Sequence, residues 1–457
     1  MARDTLDDTP IEGRAQLIEQ IAGGEKPASD FRIGTEHEKF AYNKADLSPV
    51  PYEGERGIGA VLKGMQALTG WDPIEEHGNI IGLAAPSGGG AISIEPGGQF
   101  ELSGAPLISL HETCREANGH LAQVRELADS LDLGFLGLGM APTWSRADMP
   151  KMPKQRYGIM TAYMPKVGTR GLDMMYRTTT IQVNLDFSGE ADMVSKMRVG
   201  LALQPIATAL FANSPFLDGK SNGMLSNRAA VWHDVDLQRS GPIPFAFEDG
   251  FGYERYVDWA LDVPMYFVKR GDDYINATSA TFREFMDGKF DVLPGERPNM
   301  GDWVNHLSCL FPEVRLKRFL EMRGADGGPW RRICALPAFW VGLLYDQGVL
   351  SEAQALADTL SADDRHTLWR DVPTHGFETR LADGRTVLDI AKSALDLSAE
   401  GLKRRGHCAA DGDDERVFLN PLFDAVHAGR SPADEILDSF RGPWRGDMAK
   451  VFDALSF

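Results

Sequence analysis

The chain has 457 residues, 43% hydrophobic and 25% charged, a balance that excludes a disordered, collagenous or coiled-coil protein. Its 47 Lys and Arg against 66 Asp and Glu leave a formal charge of −19, which argues against nucleic-acid partners and anionic membrane surfaces. A small polyanion held by a local basic pocket or a metal ion is still compatible with that charge.

In chain order, Thr9-Pro10 and the run up to Gly23-Gly24 predict a short capped helix. Residues 32–42 (RIGTEHEKFAY) read as a strand. Residues 91–104 (AISIEPGGQFELSG) read as strand, tight turn and strand. A long amphipathic helix over 107–131 precedes a buried strand at 133–140, and a Met-, Pro- and Lys-rich loop occupies 141–170. Residues 178–187 alternate cleanly as a half-buried strand. An apolar helix follows at 193–213, a helix then a strand at 253–269, and one alternating strand at 314–324. From Pro329 the pattern is helical, at 330–349, 351–361, 387–404 and 432–440. Short alternating strands joined directly by Gly-rich turns predict an α+β fold with a mainly antiparallel sheet. No linker interrupts the chain, so the expectation is one catalytic domain over 1–457, with a sheet-based core at 30–328 and a mostly helical packing region at 329–457.

Four cysteines without a C-x-x-C do not make a secreted disulfide scaffold or a zinc knuckle. The N-terminal stretch MARDTLDDTPIEG is acidic and lacks the pattern of a signal or transit peptide, and no run of about 18 apolar residues occurs. A cytoplasmic location without membrane association is the expectation.

Several familiar signatures fail. Gly219-Lys220-Ser221 ends like a P-loop, but position 214 is Ser where Gly is required. Residues 219–223 match G-x-S-x-G, but a loop sequence precedes them instead of a buried strand. His37-Glu38 begins a zincin motif that Ala41 breaks.

Four constellations survive. Glu36 and Glu38 are two apart on a strand and so share a face. Their mutual repulsion is tolerable if they are solvated, if they share a proton, or if a cation sits between them. Glu95 and Glu101 flank the Pro-Gly-Gly turn, with Gln99 on the side of Glu101. Thr178, Thr180, Gln182, Asn184 and Asp186 line one strand face with uncharged donors and acceptors where a solvated face carries Lys and Glu. Glu321 and Arg323 pair a carboxylate with a guanidinium, a combination that suits a metal-bound phosphate, although an exposed ion pair reads the same way. Hard oxygen ligands on one sheet suit Mg²⁺ or Mn²⁺ rather than zinc, and such a site holds ATP without a P-loop.

The strings FRIGTEHEKF, SIEPGGQFELSGAP, GLDMMYRTTTIQVNLDF and FPEVRLKRFLEMRGADGGPWRR closely resemble glutamate–cysteine ligases of the plant and proteobacterial type, from about residue 30 to near the C-terminus. The resemblance implies a curved, glutamine-synthetase-like antiparallel sheet with surrounding helices. It implies the first step of glutathione synthesis, in which ATP phosphorylates the γ-carboxylate of glutamate and the amine of cysteine then attacks. It implies two or more Mg²⁺ ions, with Mn²⁺ as the alternative, on Glu36, Glu38, Glu101 and Glu321, with Glu95 and Gln182 as further members. By the same resemblance Arg323 holds the transferring phosphate, with Glu38 also in the catalytic set. Arg156 and Arg228 resemble the glutamate-binding arginines and Tyr266 resembles part of the cysteine pocket. Cys114 and Cys334 fall where plant members carry one regulatory disulfide; the alternative is two buried thiols. The second plant pair would fall at Ala277 and Val292 and is absent. Expected partners are small-molecule substrates only, in a monomer or homodimer. The competing reading is a carboxylate–amine ligase that joins glutamate to a different amine; a metal-dependent hydrolase and a non-catalytic binding protein are more distant alternatives.

Overall fold

A computed structural model of the chain describes residues 4–86 and 88–457. Its frame is a nine-stranded sheet. The strands are β1 (Ile33–Asn43), β2 (Asp72–Glu76), β3 (Asn79–Ala84), β4 (Ala91–Ile94), β5 (Phe100–Ser103), β6 (Leu133–Leu136), β7 (Thr180–Leu185), β8 (Val314–Leu316) and β9 (Leu320–Asp326). They lie in the order β8-β9-β7-β1-β5-β4-β3-β2, and β6 also pairs with β1. Every pairing in this sheet is antiparallel. β1 is central because it is long enough to change partners. Glu36–Lys39 pair with β5, Phe40–Asn43 with β6, and Ile33–His37 with β7 along the other edge.

Period-two alternation gives this sheet two unlike faces. Ile33, Ile181, Val183 and Leu185 are buried in one apolar core with the helices Glu190–Leu210, Trp330–Leu344 and Val387–Arg405. Ile92, Ile94, Phe100 and Leu102 belong to a second core with the helix Ile58–Thr69. The Leu110–Leu131 helix starts on a reciprocal cap, in which Glu112 N–H donates to Ser109 Oγ at 3.2 Å and Ser109 N–H to Glu112 Oε2 at 3.4 Å. The opposite face of β1, β5 and β7 is left to polar side chains.

Three differences from the sequence reading bear most on the site and its surroundings. The loop expected at 141–170 contains the helix Gln155–Tyr163, whose Tyr157, Met160 and Tyr163 are buried. Their helical spacing is hidden in a Pro- and Lys-rich stretch. The run at 314–324 is not one strand but a hairpin. Lys317 N–H donates to Phe319 O at 2.9 Å, and Arg315 then lies opposite Glu321. The helical tail also holds more helices than periodicity predicts, including Ala362–His375, Asn420–Ala428 and Met448–Leu455. The failed G-x-S-x-G motif forms a small turn, with Gly219 and Gly223 at φ +78° and +82°. No single helix among the described residues is long and apolar enough to cross a membrane.

Candidate active site

Glu36 and Glu38 project from the polar face of β1. Register places Glu38 opposite Glu101 of β5, and Glu36 between Ser103 of β5 and Gln182 of β7. Opposed residues of antiparallel strands hold their Cβ atoms about 4.5–5.5 Å apart, so these polar groups meet at close range. Glu95, just past β4, reaches the same place. Glu36, Glu38, Glu95, Glu101 and Gln182 all line one cavity of about 120 Å³. Arg156 and Arg323 enter it as well, and Phe267, Phe311, Met160 and Tyr157 supply apolar walls.

The electrostatics of this cavity are those of crowded anions. Burial holds the Glu38 carboxyl well above the usual carboxylate range, and Glu101 and Glu95 push it further. Arg228 and the Thr180 N–H, 3.0 Å from Glu38 Oε2, pull the other way. Burial, Glu321 and Glu101 likewise raise Glu36, whose Oε1 accepts from Asn184 Nδ2 at 2.8 Å. Glu101 accepts the Ser93 hydroxyl at 2.5 Å.

Glu321, expected among the metal ligands, is paired with cations in this structure. It is fully buried, and the hairpin sets it against Arg315, whose Nε and Nη2 donate to its oxygens at 2.7–3.0 Å. Lys317 Nζ lies 2.9 Å away and Arg323 is a third partner. Burial works against its ionisation, but these cations, Arg315 first, hold Glu321 well below the usual range. Arg323 in turn donates to Gln182 Oε1 at 2.7 Å. A bulge between Met322 and Ala325 turns Arg323 out of the ladder beside the cavity.

The remaining sequence candidates divide. Arg156, in the first turn of the Gln155–Tyr163 helix, bonds Asp4 Oδ1 at 3.1 Å. It lines both the carboxylate cavity and an adjoining groove of about 1050 Å³ that also carries Lys154 and Lys269. Arg228 does not share a cavity with Arg156. It lines a neighbouring pocket that meets the first at Phe311 and Arg323. Tyr266 lines neither. It is 1% exposed, with the Arg239 guanidinium 3.8 Å from its ring centroid and its hydroxyl 3.6 Å from Met164 Sδ. Strand alternation turns Phe267 into the cavity in its place. Gln99 also turns away: its amide donates to the carbonyls of Met175 and Thr178 and supports the turn. Cys114 and Cys334 are joined by a disulfide with Cα atoms 5.6 Å apart, while Cys309 is buried at the cavity wall and Cys408 is exposed.

Sequence reasoning missed Arg315 and Lys154. Arg315 is unreadable until the 314–324 run folds back on itself. Lys154 sits in what looks like a loop. It is buried, donates to Ile94 O at 2.8 Å, and burial beside Arg156 lowers it to about 8.

The donor set is one of carboxylate and amide oxygens, which fits a hard divalent cation, and Glu36 and Glu38, raised by burial and by neighbouring carboxylates, call for one. The set is not closed around a metal position: among the described residues no three His, Cys, Asp or Glu side chains form a ready-made ion site.

Glutamate-cysteine ligase family 2 (GCS2) matches residues 32–454. The chloroplastic glutamate–cysteine ligase of Medicago truncatula is 52% identical over 97% of this chain and 85% of its own length. That of Arabidopsis thaliana is 52% identical over 97% and 83%. Among solved structures, the glutamate–cysteine ligase of Francisella tularensis in complex with AMP superposes with a TM-score of 0.51 at 13% identity, over 94% of this chain and 89% of that one. The likeness shows a shared fold of the glutamine-synthetase-like type. The expectation of a cytoplasmic location is overturned, since relatives sharing half of their residues with this chain are chloroplastic enzymes.

Proposed function

Because the chain belongs to the glutamate–cysteine ligase family and so carries out the ATP-dependent first step of glutathione synthesis, we propose that the cavity between β1, β5 and β7 is where the γ-carboxylate of glutamate is activated for attack by cysteine. The observation that carries this assignment is the register: Glu38 faces Glu101, Glu36 faces Gln182, and Arg323 reaches the same cavity from β9.

A carboxylate is a poor electrophile, and an amine does not displace oxide from it. Phosphorylation supplies the leaving group. The obstacle is charge, because the triphosphate and the γ-carboxylate are both anions and the cavity is already acidic. Glu36, Glu38, Glu95, Glu101 and Gln182 would hold two or more Mg²⁺ or Mn²⁺ ions, and Glu321 would join them once its cationic partners give way. When bound, such ions neutralise the phosphate oxygens and hold them in line. The chain's own cations do the rest. Arg323 is placed to face the transferring phosphate, and Arg156 and Arg228 offer guanidinium forks for carboxylates. The groove carrying Lys154, Arg156 and Lys269 is large enough for a nucleotide, but Asp4, Asp72, Glu75, Glu76 and Asp272 line it as well, so a triphosphate there would still need the divalent ions. Phe267, Phe311 and Met160 keep water from the acyl phosphate.

The whole chain acts as one catalytic unit in this reading. Residues of the helical tail touch the sheet side directly: Asp186 N–H donates to the Tyr345 hydroxyl at 2.8 Å, and Leu110 N–H to Glu415 Oε1 at 2.7 Å.

The test is ADP release with glutamate and a panel of amines at varied Mg²⁺. Turnover should require a divalent ion, glutamate and an amine together, with cysteine preferred. ATP turnover that no amine stimulates overturns the assignment. A different preferred amine identifies the other ligase reading.

A further inference from the structure

Arg156 already has a carboxylate on it, and that carboxylate belongs to the chain's own arm at residues 4–11. The Asp4 side chain is 5% exposed, and its Oδ1 accepts from Arg156 Nη1 at 3.1 Å. Its Oδ2 accepts the Tyr274 hydroxyl and lies 3.5 Å from Lys269 Nζ. The rest of the arm is pinned beside the helix Met300–Ser308. Thr5 N–H donates to Asn305 Oδ1 at 3.0 Å, and Asn305 Nδ2 donates to Thr5 O at 3.1 Å. Gly301 N–H donates to Asp7 O at 2.8 Å and Met300 N–H to Thr9 O at 2.9 Å. The other carboxylates of the arm turn elsewhere: Asp7 Oδ1 accepts from Thr9 N–H at 3.0 Å and Asp8 Oδ1 from Asn299 Nδ2 at 3.3 Å. Leu6, next to the Asp4 tip, is 74% exposed, so lifting the tip uncovers little apolar surface.

Lys269 and Tyr274 line the large groove, whereas Arg156 lines both that groove and the carboxylate cavity. A substrate carboxylate that reaches Arg156 therefore meets one already in place. Two carboxylates on one largely buried guanidinium repel each other, and one must leave. We propose that Asp4 is a resident competitor for the glutamate carboxylate at Arg156, so that the arm sets how much glutamate the enzyme needs before it turns over. The docked arm lowers the fraction of molecules competent to bind glutamate, and the apparent affinity falls by that fraction. When glutamate takes Arg156, Asp4 exchanges its partners for water and the reacting groups are left as they were. Such competition raises KM for one substrate and leaves kcat alone.

The inference rests on the ligase reading, and the experiment separates the two. Glutamate binding by calorimetry and ADP release are both measured for the full chain as wild type, Asp4→Asn, Asp4→Ala and, as a control on the same arm, Asp8→Asn. Both Asp4 variants should bind glutamate roughly tenfold more tightly and lower KM for glutamate by the same factor, as expected when one charge-assisted bond no longer competes. KM for ATP and for cysteine should stay within about twofold, and Asp8→Asn should match wild type. An arm that merely supports the site predicts the opposite sign, because its loss would loosen Arg156 and weaken glutamate. Unchanged or weakened glutamate affinity in the Asp4 variants, a gain that falls on ATP instead, or an equal gain in Asp8→Asn overturns the proposal. If wild type releases no ADP with any amine, the ligase reading fails, and the calorimetric comparison still decides the role of Asp4.

Discussion

Glu36 and Glu38 are neighbours only because a strand has a period of two, and they face other carboxylates only because of the register of β1. Each is half-buried and raised by its surroundings, so each gains more from a bound cation than a surface carboxylate would. Glu36→Gln keeps the shape and removes the charge. Turnover should fall by about 10²–10⁴-fold with an unchanged circular dichroism spectrum, and near-normal turnover would remove Glu36 from the metal set. Glu116 gives a cleaner electrostatic case away from the site. It accepts the Ala105 N–H at 2.8 Å, and burial raises its carboxyl to about 7. A carboxyl raised on folding stabilises fully below its unfolded pKa of 4.5, and that contribution is lost as pH rises toward 7. Glu116→Gln is free of this loss. Relative to wild type it should gain about 1–3 kcal/mol between pH 5 and 7.5, read from urea denaturation at the two pH values. A constant difference would show that Glu116 titrates normally.

Among the elements, the 314–326 hairpin shapes the site most and was least visible. Its alternation reads as one strand because Lys317, Arg318 and Phe319 carry no Gly, Pro or Asn to announce a turn. Folding back sets Glu321, an expected metal ligand, against Arg315, Lys317 and Arg323. Arg315→Met should therefore cost about 3 kcal/mol in denaturant, since it removes one partner of a buried pair. In a double-mutant cycle with Glu321→Gln the two losses should be less than additive; full additivity would mean that the pair is uncoupled. The Pro96-Gly97-Gly98 turn was legible, and the structure supplies its reason. A Cβ on Gly97 would press into the Tyr176 carbonyl, and Gly98 sits at φ +81°. Gly97→Ala should cost about 1–3 kcal/mol and lower activity together with stability, because Glu95 and Glu101 flank the displaced turn. A melting curve that matches wild type would refute this. The Gln155–Tyr163 helix was missed because composition outweighed spacing in the sequence reading. Arg156 therefore lacked a structural context until the fold was known.

Across the whole molecule, the Cys114–Cys334 bond ties the Leu110–Leu131 helix to the Trp330–Leu344 helix across 220 residues of chain. Closing so long a loop restricts the unfolded chain far more than the folded one. Cys114→Ser should lower stability by about 2–4 kcal/mol, measured as the shift in urea midpoint under non-reducing conditions. If reduced wild type and the variant unfold together at the oxidised wild-type midpoint, the bond adds nothing.

By itself the sequence determined the fold class, the family and the identities of the acidic groups, because alternation and short contiguous motifs survive without knowledge of the third dimension. Only the tertiary structure decided which of those groups share a space. Glu38 meets Glu101, Glu321 is claimed by Arg315, Arg156 and Arg228 fall in separate cavities, and Tyr266 is sealed beneath Arg239. The physical reason is that strand register, hairpin reversal and helix placement arise from contacts between residues far apart in the chain, which local periodicity cannot encode.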